Sequence, residues 1–236
     1  MPPVLFPGCF PDKGGMTVPR CIIIGPMYAG EEAALLARRE GDCILCADGG
    51  YRAAKACGVT PDLVVGDFDS MPRNMVGDVP VVELPVHKDD TDMVVCLQEG
   101  RERGYHTFLI AGALGGRFDH AIANVQCLAD CALRGERAWL VDGLNRVTVL
   151  SPGEYVFPRM EGRKFSLLAW AGEVKQVTLT GTLWPLDGRD LSPRYPLGCS
   201  NEIIADEARL SFSEGLLLVA LSRDALPDGP ESVTVL

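Results

Sequence analysis

The sequence predicts an α/β domain with an open, mostly parallel sheet, followed by an all-β sandwich domain. Fully apolar runs such as Cys21–Ile24, typical of strands that are covered on both faces, alternate with helical segments as far as Val141. From Ser151 onward the helical periodicity stops and short strand-like segments follow one another. We therefore predict a flexible extension over residues 1–19, the α/β domain over residues 20–150 and the β-sandwich domain over residues 151–236.

Strands of the first domain are predicted where short apolar, β-branched runs are bounded by turn residues, and helices where apolar residues recur on one face. The predicted strands are Cys21–Ile24, Cys43–Ala47, Leu63–Val65, Val79–Leu84, Phe108–Ala111 and Trp139–Val141. The predicted helices are Glu31–Glu40, a short helix from Tyr51 that closes at Gly58, Met93–Gly104 and His120–Arg134.

The second domain contains no helical pattern. Its predicted strands are joined by turn residues, and Ser213–Gly215 is predicted to be the hairpin turn between the last two. These strands are Glu154–Phe157, Lys164–Trp170, Val174–Thr180, Ile203–Ala205, Arg209–Phe212 and Leu216–Leu221.

Composition and charge exclude several classes of protein. The chain has 236 residues, of which 47% are apolar and 23% charged, as in ordinary globular proteins. Its net charge of −10 argues against a general affinity for nucleic acid, so anionic phosphates would need metal ions or a few cationic side chains. No uncharged apolar stretch reaches the roughly 18 residues of a membrane span. Nine cysteines, several within apolar runs, favour a reducing compartment, and we predict a cytoplasmic protein.

Two polar clusters follow predicted strands of the first domain. Asp48, Gly49 and Gly50 come first: the glycines let backbone amides approach a nucleotide, and Asp48 could accept from a ribose or a base. A tight turn before a helix explains the same residues.

Asp67 and Asp69 would project to one side of an extended chain, where two carboxylates repel by about 4 kcal/mol at ~4 Å unless a proton or cation lies between them. Mg²⁺ prefers such oxygen ligands, and an Asx-type turn is the alternative.

A third cluster precedes a predicted helix. Thr91 fits the N-cap position, and Asp92 in the first turn would suit the helix dipole. Three carboxylates and Lys88 within five residues exceed what capping requires, so we predict that Lys88–Asp92 takes part in a site. A solvated charged loop is the alternative interpretation.

The fourth cluster, Gly112–His120, leads from a predicted strand into a helix. Glycines, a helix amino end and Arg117 together form a cradle for an anion. The segment matches neither the Walker phosphate loop nor the dinucleotide fingerprint, and an ordinary glycine-rich connection is the alternative. Of the three histidines, His87 and His106 receive no role.

In this order and spacing the four clusters resemble the thiamine pyrophosphokinase (thiamine diphosphokinase) family. The motifs Gly66-Asp67-Phe68-Asp69-Ser70 and Gly115-Gly116-Arg117-Phe118-Asp119-His120 are its most specific part. The resemblance covers roughly residues 21–221 and continues into the second domain through Thr180–Leu186, Ser200–Glu202 and Ser211–Gly215.

The resemblance implies a homodimer with active sites between subunits. It implies transfer of a pyrophosphoryl group from ATP to the hydroxyethyl oxygen of thiamine, giving thiamine diphosphate and AMP. Residues 20–150 would be the nucleotide-binding catalytic domain, and residues 151–236 the thiamine-binding and dimerisation domain.

The resemblance also implies roles for individual residues. Asp67, Asp69 and Asp92 would hold Mg²⁺ and, with Arg117, form the catalytic set. Nucleotide binding would fall to Asp48, Gly49, Gly50, Lys88, Thr91, Gly115, Gly116, Arg117, Asp119 and His120. Thiamine would be bound by Trp184, Ser200 and Asn201. The chain departs from the bacterial pattern at Trp184, where tyrosine is common, and at Gly198–Cys199.

Two other interpretations of the same residues exist. A Mg²⁺-dependent phosphohydrolase with Asp67 as nucleophile would release phosphate without thiamine. A non-catalytic nucleotide or thiamine sensor would be stabilised by its ligand without forming AMP, although a sensor has little need of three metal carboxylates.

Overall fold

The structure, a computed structural model, describes residues 18–68, 72–85 and 90–226, together with the backbone of strand β1 (Val4–Leu5). The described chain divides into two compact units. One comprises Val18–Gly143, and the other begins at Leu144 and includes β1.

The first unit is built on a sheet in which every described strand pair is parallel. The strands lie in the order β5-β4-β3-β2-β6-β7. Four of them, β2, β3, β4 and β6, are buried along their whole length, as the apolar runs predict. The strand bounds are β2 (Cys21–Ile24), β3 (Cys43–Ala47), β4 (Leu63–Gly66), β5 (Val81–Glu83), β6 (Thr107–Ala111) and β7 (Arg137–Val141).

The helices of this unit are α1 (Ala33–Leu36), α2 (Gly50–Ala56), α3 (Asp92–Glu102) and α4 (Phe118–Leu133), with a 3₁₀ turn at Arg73–Met75. The prediction of a helix over Glu31–Glu40 was wrong in extent, because α1 ends at Leu36. The guanidinium of Arg20 donates to the carbonyls of Leu35 and Ala37, both at 2.8 Å, and Ala37 is extended. This tertiary contact takes the place of further helical turns.

In the second unit, β10 organises the antiparallel strands. The sequence predicts two strands, Lys164–Trp170 and Val174–Thr180, but the structure has one strand with an irregularity between Trp170 and Lys175. The first half of β10 pairs with β14 and β12, and the second half with β13 and β11. The bounds are β8 (Asn145–Leu150), β9 (Gly153–Pro158), β10 (Lys164–Thr180), β11 (Leu186–Leu191), β12 (Gly198–Asn201), β13 (Glu207–Phe212) and β14 (Glu214–Ser222).

Several sequence predictions for this unit need correction. Ile203–Ala205 is not a strand, since only Ile203 forms an isolated bridge, to Thr182. The strands β8, β11 and β12 were not predicted; β11 is mostly exposed and polar, so it has no apolar alternation. Val4–Leu5 pairs in parallel with β9. Most of residues 1–17 lies outside the described residues, so the flexible extension stays a prediction.

The core of the second unit is formed by buried residues of several strands. The rings of Phe157 in β9 and Phe165 in β10 meet edge to face with their centroids 4.9 Å apart, and both are fully buried. None of the helices in the described part of the chain has the length and hydrophobicity to cross a bilayer.

Candidate active site

The loops that carry the predicted nucleotide residues leave one edge of the parallel sheet. Ile24 pairs with both Cys46 and Ala111, and Gly66 pairs with Glu83, so the carboxyl ends of these strands are aligned. Asp48 follows β3, Asp67 follows β4, and the glycine loop follows β6. In open α/β sheets this carboxyl edge is where ligands bind.

Close backbone packing fixes Asp48 at this edge. Its N–H donates to the carbonyl of Val65 at 2.7 Å. A Cβ at Gly66 would lie 3.0 Å from Oδ1 of Asp48, and one at Gly50 only 2.0 Å from the carbonyl oxygen of Ile24. Asp48 and Phe68 have positive φ values of 39° and 58°, a conformation that side chains rarely adopt. Strained backbone of this kind clusters at functional sites.

The start of α3 lies at the same edge. Near its end, a Cβ at Gly100 would lie 2.9 Å from Sγ of Cys21, at the amino end of β2. The helix packs against β2, β3 and β4 and connects β5 to β6, which are parallel strands of the same sheet. The helix therefore runs antiparallel to the strands. Asp92 lies about 12 Å before Gly100 along the helix axis, which places it at the carboxyl edge.

Thr91 has the capping role that the sequence predicts. It is the N-cap of α3, and its Oγ1 accepts from the N–H of Val94 at 3.3 Å. Lys88 and Asp89, predicted in the same cluster, lie outside the described residues.

The glycine loop before α4 is held in place by two contacts. Asn124, a buried residue of α4, donates from Nδ2 to the carbonyl of Ala113 at 2.7 Å. Gly112 has a φ of +67°, accepts from the N–H of Met27 at 3.0 Å, and has no room for a Cβ, which would lie 2.3 Å from the nitrogen of Tyr28. Asn124 was not predicted as a site residue; a polar residue on the apolar face of the helix was the signal.

Arg117 pairs with Asp119 within this loop. Its Nη2 lies 2.6 Å from Oδ2 and its Nε 3.1 Å from Oδ1 of the carboxylate, and both side chains are exposed. The hydrogen bond from Arg117 lowers the pKa of Asp119 to about 2, and the N–H of His120 also donates to this carboxylate. Because exposed ion pairs contribute little, the guanidinium can exchange Asp119 for a phosphate oxygen at small cost.

The predicted magnesium ligands are described only in part. Asp67 and Asp92 bring hard carboxylate oxygens to the carboxyl edge, the donor type that Mg²⁺ prefers. Asp69 lies outside the described residues, and among those described no group of three metal-binding side chains is found. The triad of Asp67, Asp69 and Asp92 therefore stays a prediction.

The second unit contains a pocket of about 660 Å³ beside the predicted thiamine residues. Trp184, with 57% of its surface exposed, lies in the pocket wall, and leucines supply much of the remaining apolar lining. The sequence did not predict the charged and thiol side chains of this wall, Asp187, Arg189 and Cys199. Alternating charges in the Leu-Asp-Gly-Arg-Asp segment were the signal for two of them.

Ser200 and Asn201 have different positions relative to this pocket. Ser200 is exposed, has a φ of 61° and donates its N–H to Oγ of Ser166 at 2.9 Å. Asn201 lines the pocket but is only 5% exposed, and its amide is bonded to the backbone of Trp184. The β12 strand that carries both residues packs closely on β10, because a Cβ at Gly198 would lie 2.4 Å from the carbonyl oxygen of Leu167.

Together these features define a protein with a parallel α/β unit, whose carboxyl edge carries acidic and glycine-rich loops, and an antiparallel β unit with an aromatic-walled pocket. Residues 37–140 match the catalytic-domain model of thiamin pyrophosphokinase, and residues 154–217 match its vitamin B1 binding domain. The chain belongs to the thiamine pyrophosphokinase family.

Relatives of known sequence and structure agree with this assignment. The thiamine pyrophosphokinase of Bacillus subtilis is 30% identical over 173 residues, which is 71% of this chain and 81% of the relative. The crystal structure of that enzyme superposes with a TM-score of 0.79 at 26% identity, over 89% of this chain and 100% of that chain. The thiamin pyrophosphokinase of Geobacillus thermodenitrificans gives 0.76 at 30% identity, over 89% and 99% of the two chains.

Proposed function

We propose that this protein transfers a pyrophosphoryl group from ATP to the hydroxyethyl oxygen of thiamine, forming thiamine diphosphate and AMP. The observation that carries the proposal is the match of each family domain to one structural unit. The catalytic-domain match falls on the parallel sheet with its acidic carboxyl edge, and the vitamin B1 binding match falls on the β unit with the Trp184 pocket.

ATP would bind along the carboxyl edge of the parallel sheet. Asp48 would accept from the nucleoside, with Gly49 and Gly50 beside it. The absence of a side chain at Gly50 lets this loop pack against the carbonyl of Ile24, which holds Asp48 at the edge. The triphosphate would lie at the start of α4, where Arg117 would exchange Asp119 for phosphate oxygens. The remaining nucleotide contacts would come from Lys88, Thr91, Gly115, Gly116 and His120.

Three carboxylates would hold Mg²⁺ at this edge: Asp67, Asp69 and Asp92. When bound, the ion would neutralise charge on the phosphate oxygens, which is the main requirement of phosphoryl-type transfer. The hydroxyethyl oxygen would attack the β-phosphorus of ATP, and AMP would leave. Asp69 or Asp92 would accept the alcohol proton late in the reaction.

Thiamine would bind in the pocket of the β unit. A flat ring such as Trp184 attracts a cation over its face, and thiamine carries a positive charge on its thiazolium ring. Of the two charged residues in the same wall, Asp187 would attract the cation and Arg189 would oppose it, while the leucines would cover the apolar surface of the ligand.

The finer architecture follows from the same assignment. We propose that the β unit is a sandwich, since β10 takes part in two groups of strands and Phe157 meets Phe165 between them. We further propose a cytoplasmic homodimer with active sites at the subunit interface, as the family resemblance implies.

The test uses purified protein with ATP, Mg²⁺ and thiamine, and follows AMP and thiamine diphosphate by chromatography. The proposal requires AMP that appears only when thiamine is present, in equal amount with thiamine diphosphate. Phosphate release without thiamine would instead support a phosphohydrolase, and ligand-induced stabilisation without AMP would support a sensor.

A further inference from the structure

The side-chain amide of Asn201 is hydrogen-bonded to both polar groups of the Trp184 backbone. Its Oδ1 accepts from the N–H of Trp184 at 3.0 Å, and its Nδ2 donates to the carbonyl of Trp184 at 2.7 Å. The same Oδ1 also accepts from the N–H of Glu202 at 2.8 Å. These bonds use one donor and both lone-pair directions of the amide, which leaves little capacity for a ligand.

The two residues differ sharply in exposure. Asn201 is 5% exposed, whereas Trp184 is 57% exposed and lines the pocket. An exposed loop residue would ordinarily sample several backbone conformations. Here the segment before Trp184 is also paired with the chain after Asn201, because Leu183 donates to the carbonyl of Glu202 at 2.9 Å. The buried amide of Asn201 therefore fixes the backbone of Trp184, whose side chain is exposed.

We propose that Asn201 is a positioning residue for Trp184 and does not itself contact thiamine. It holds the indole in the pocket wall so that the ring is already in place when the ligand arrives. A pre-organised wall avoids the entropic cost of ordering a side chain on binding. This inference rests on the proposed function, because the ligand of the pocket is taken to be thiamine.

Only asparagine supplies this pattern at this position without adding length or charge. Aspartate has the same shape but no donor, so it would place a carboxylate oxygen against the carbonyl of Trp184. Serine is too short to reach both groups. Asn201→Asp therefore removes the hydrogen bond to the carbonyl of Trp184 and keeps the volume of the side chain. Asn201→Ser removes both hydrogen bonds to Trp184 and has a smaller side chain.

The first measurement reads Trp184 directly. Protein labelled with 5-fluorotryptophan has three fluorine resonances, one for each tryptophan, and Trp184→Phe assigns the relevant one. In Asn201→Asp the Trp184 resonance should shift or broaden, while that of Trp139, buried in β7, stays in place and reports an intact fold. Asn201→Ser should give the same result if the aspartate variant folds poorly. Asn145→Asp, which adds the same charge to the β unit, should leave the Trp184 resonance unchanged.

The second measurement separates positioning from direct contact. In Asn201→Asp the KM for thiamine should rise about tenfold, the effect of one lost buried hydrogen bond, with the KM for ATP and kcat within about twofold of wild type. In a Trp184→Ala background the same substitution should change the KM for thiamine no further, since there is no indole to misplace.

Two results would overturn the inference: an unmoved Trp184 resonance in both Asn201 variants, or additive effects of the Asn201 and Trp184 substitutions on the KM for thiamine. Wild-type protein that forms no thiamine-dependent AMP would remove the proposed function and the thiamine role with it. The fluorine spectra would then still decide whether Asn201 fixes Trp184.

Discussion

Asp48 packs against the bare α-carbon of Gly66 on the neighbouring strand, where a β-carbon would lie 3.0 Å from the Cα, Cβ and Oδ1 atoms of Asp48. The aspartate can occupy the carboxyl edge of the sheet because its neighbour has no side chain. The pair therefore links a glycine of the acidic motif to a residue of the predicted nucleotide site.

Gly66→Ala should displace Asp48 and weaken nucleotide binding. Overpacking at this contact should cost about 1–3 kcal/mol of stability, and the KM for ATP should rise more than the KM for thiamine. Urea denaturation and steady-state kinetics measure the two effects. Val64→Ala, at a fully buried residue of the same strand, should cost about 2 kcal/mol but leave the KM for ATP unchanged. Equal KM values in Gly66→Ala and wild type would contradict the role given to Asp48.

Asp69→Asn should abolish turnover and leave the fold intact. The substitution keeps the shape of the side chain but removes a negative charge from the proposed magnesium site, so kcat should fall at least about a hundredfold. The melting temperature should stay at the wild-type value. Asp78→Asn, at an exposed residue before β5, is the control and should retain full activity. Wild-type turnover in Asp69→Asn would show that the metal assignment is wrong.

Asp42→Asn should destabilise the α/β unit without a specific effect on either substrate. Asp42 is 6% exposed and accepts from the backbone N–H of Arg20 at 2.8 Å and from its guanidinium, which is also buried. Removing one partner leaves a buried charge uncompensated, which should cost about 3–5 kcal/mol. Urea unfolding followed by the fluorescence of buried Trp139 measures the loss. A cost below about 1 kcal/mol would mean that water reaches Arg20.

The partly exposed ion pair of Asp62 with Arg38 is the surface counterpart of the buried Arg20–Asp42 pair, and its contribution to stability should depend on pH. Burial alone would raise its pKa, but hydrogen bonds from Arg38 and from the N–H of Ile44 outweigh it and hold the pKa below the usual 3.8. Since the folded pKa is the lower one, this stabilisation is present above about pH 4 and is lost as the pH falls further. Asp62→Asn should cost about 1 kcal/mol or less at pH ~7, and this cost should shrink progressively as the pH falls below about 4. A pH-independent difference in unfolding free energy would contradict the assignment.

Cys199 should report occupancy of the pocket in which we propose that thiamine binds. Among the eight cysteines that the structure describes it alone is exposed, and it lies in the pocket wall. N-ethylmaleimide should modify it before the other seven cysteines that the structure describes and inactivate the enzyme, and thiamine should slow both processes. Peptide mapping by mass spectrometry identifies the modified residue, and Cys199→Ser should make activity insensitive to the reagent. Modification at the same rate with and without thiamine would place thiamine elsewhere.

The sequence predicted those parts of the site that depend on local order. Asp48, Asp67 and Thr91 each follow or precede an element with a strong apolar pattern, so their place at strand or helix ends could be read directly. The hydrogen bonds between Asn201 and Trp184 could not be predicted, because they join residues 17 positions apart across a segment without apolar periodicity. The early end of α1 could not be predicted for a similar reason. Arg20 donates hydrogen bonds to the carbonyls of Leu35 and Ala37, which lie 15 and 17 positions further along the chain.

The strand β10 pairs through Lys164–Trp170 with β14 and through Thr178–Thr180 with β13, and the backbone bends between these stretches at Ala171, with a φ of 60°. One continuous strand contributes to both groups, and the fully buried rings of Phe157 and Phe165 pack against each other between them, so melting of either group would expose the core that both share. The carboxyl-terminal unit should therefore denature in a single cooperative event.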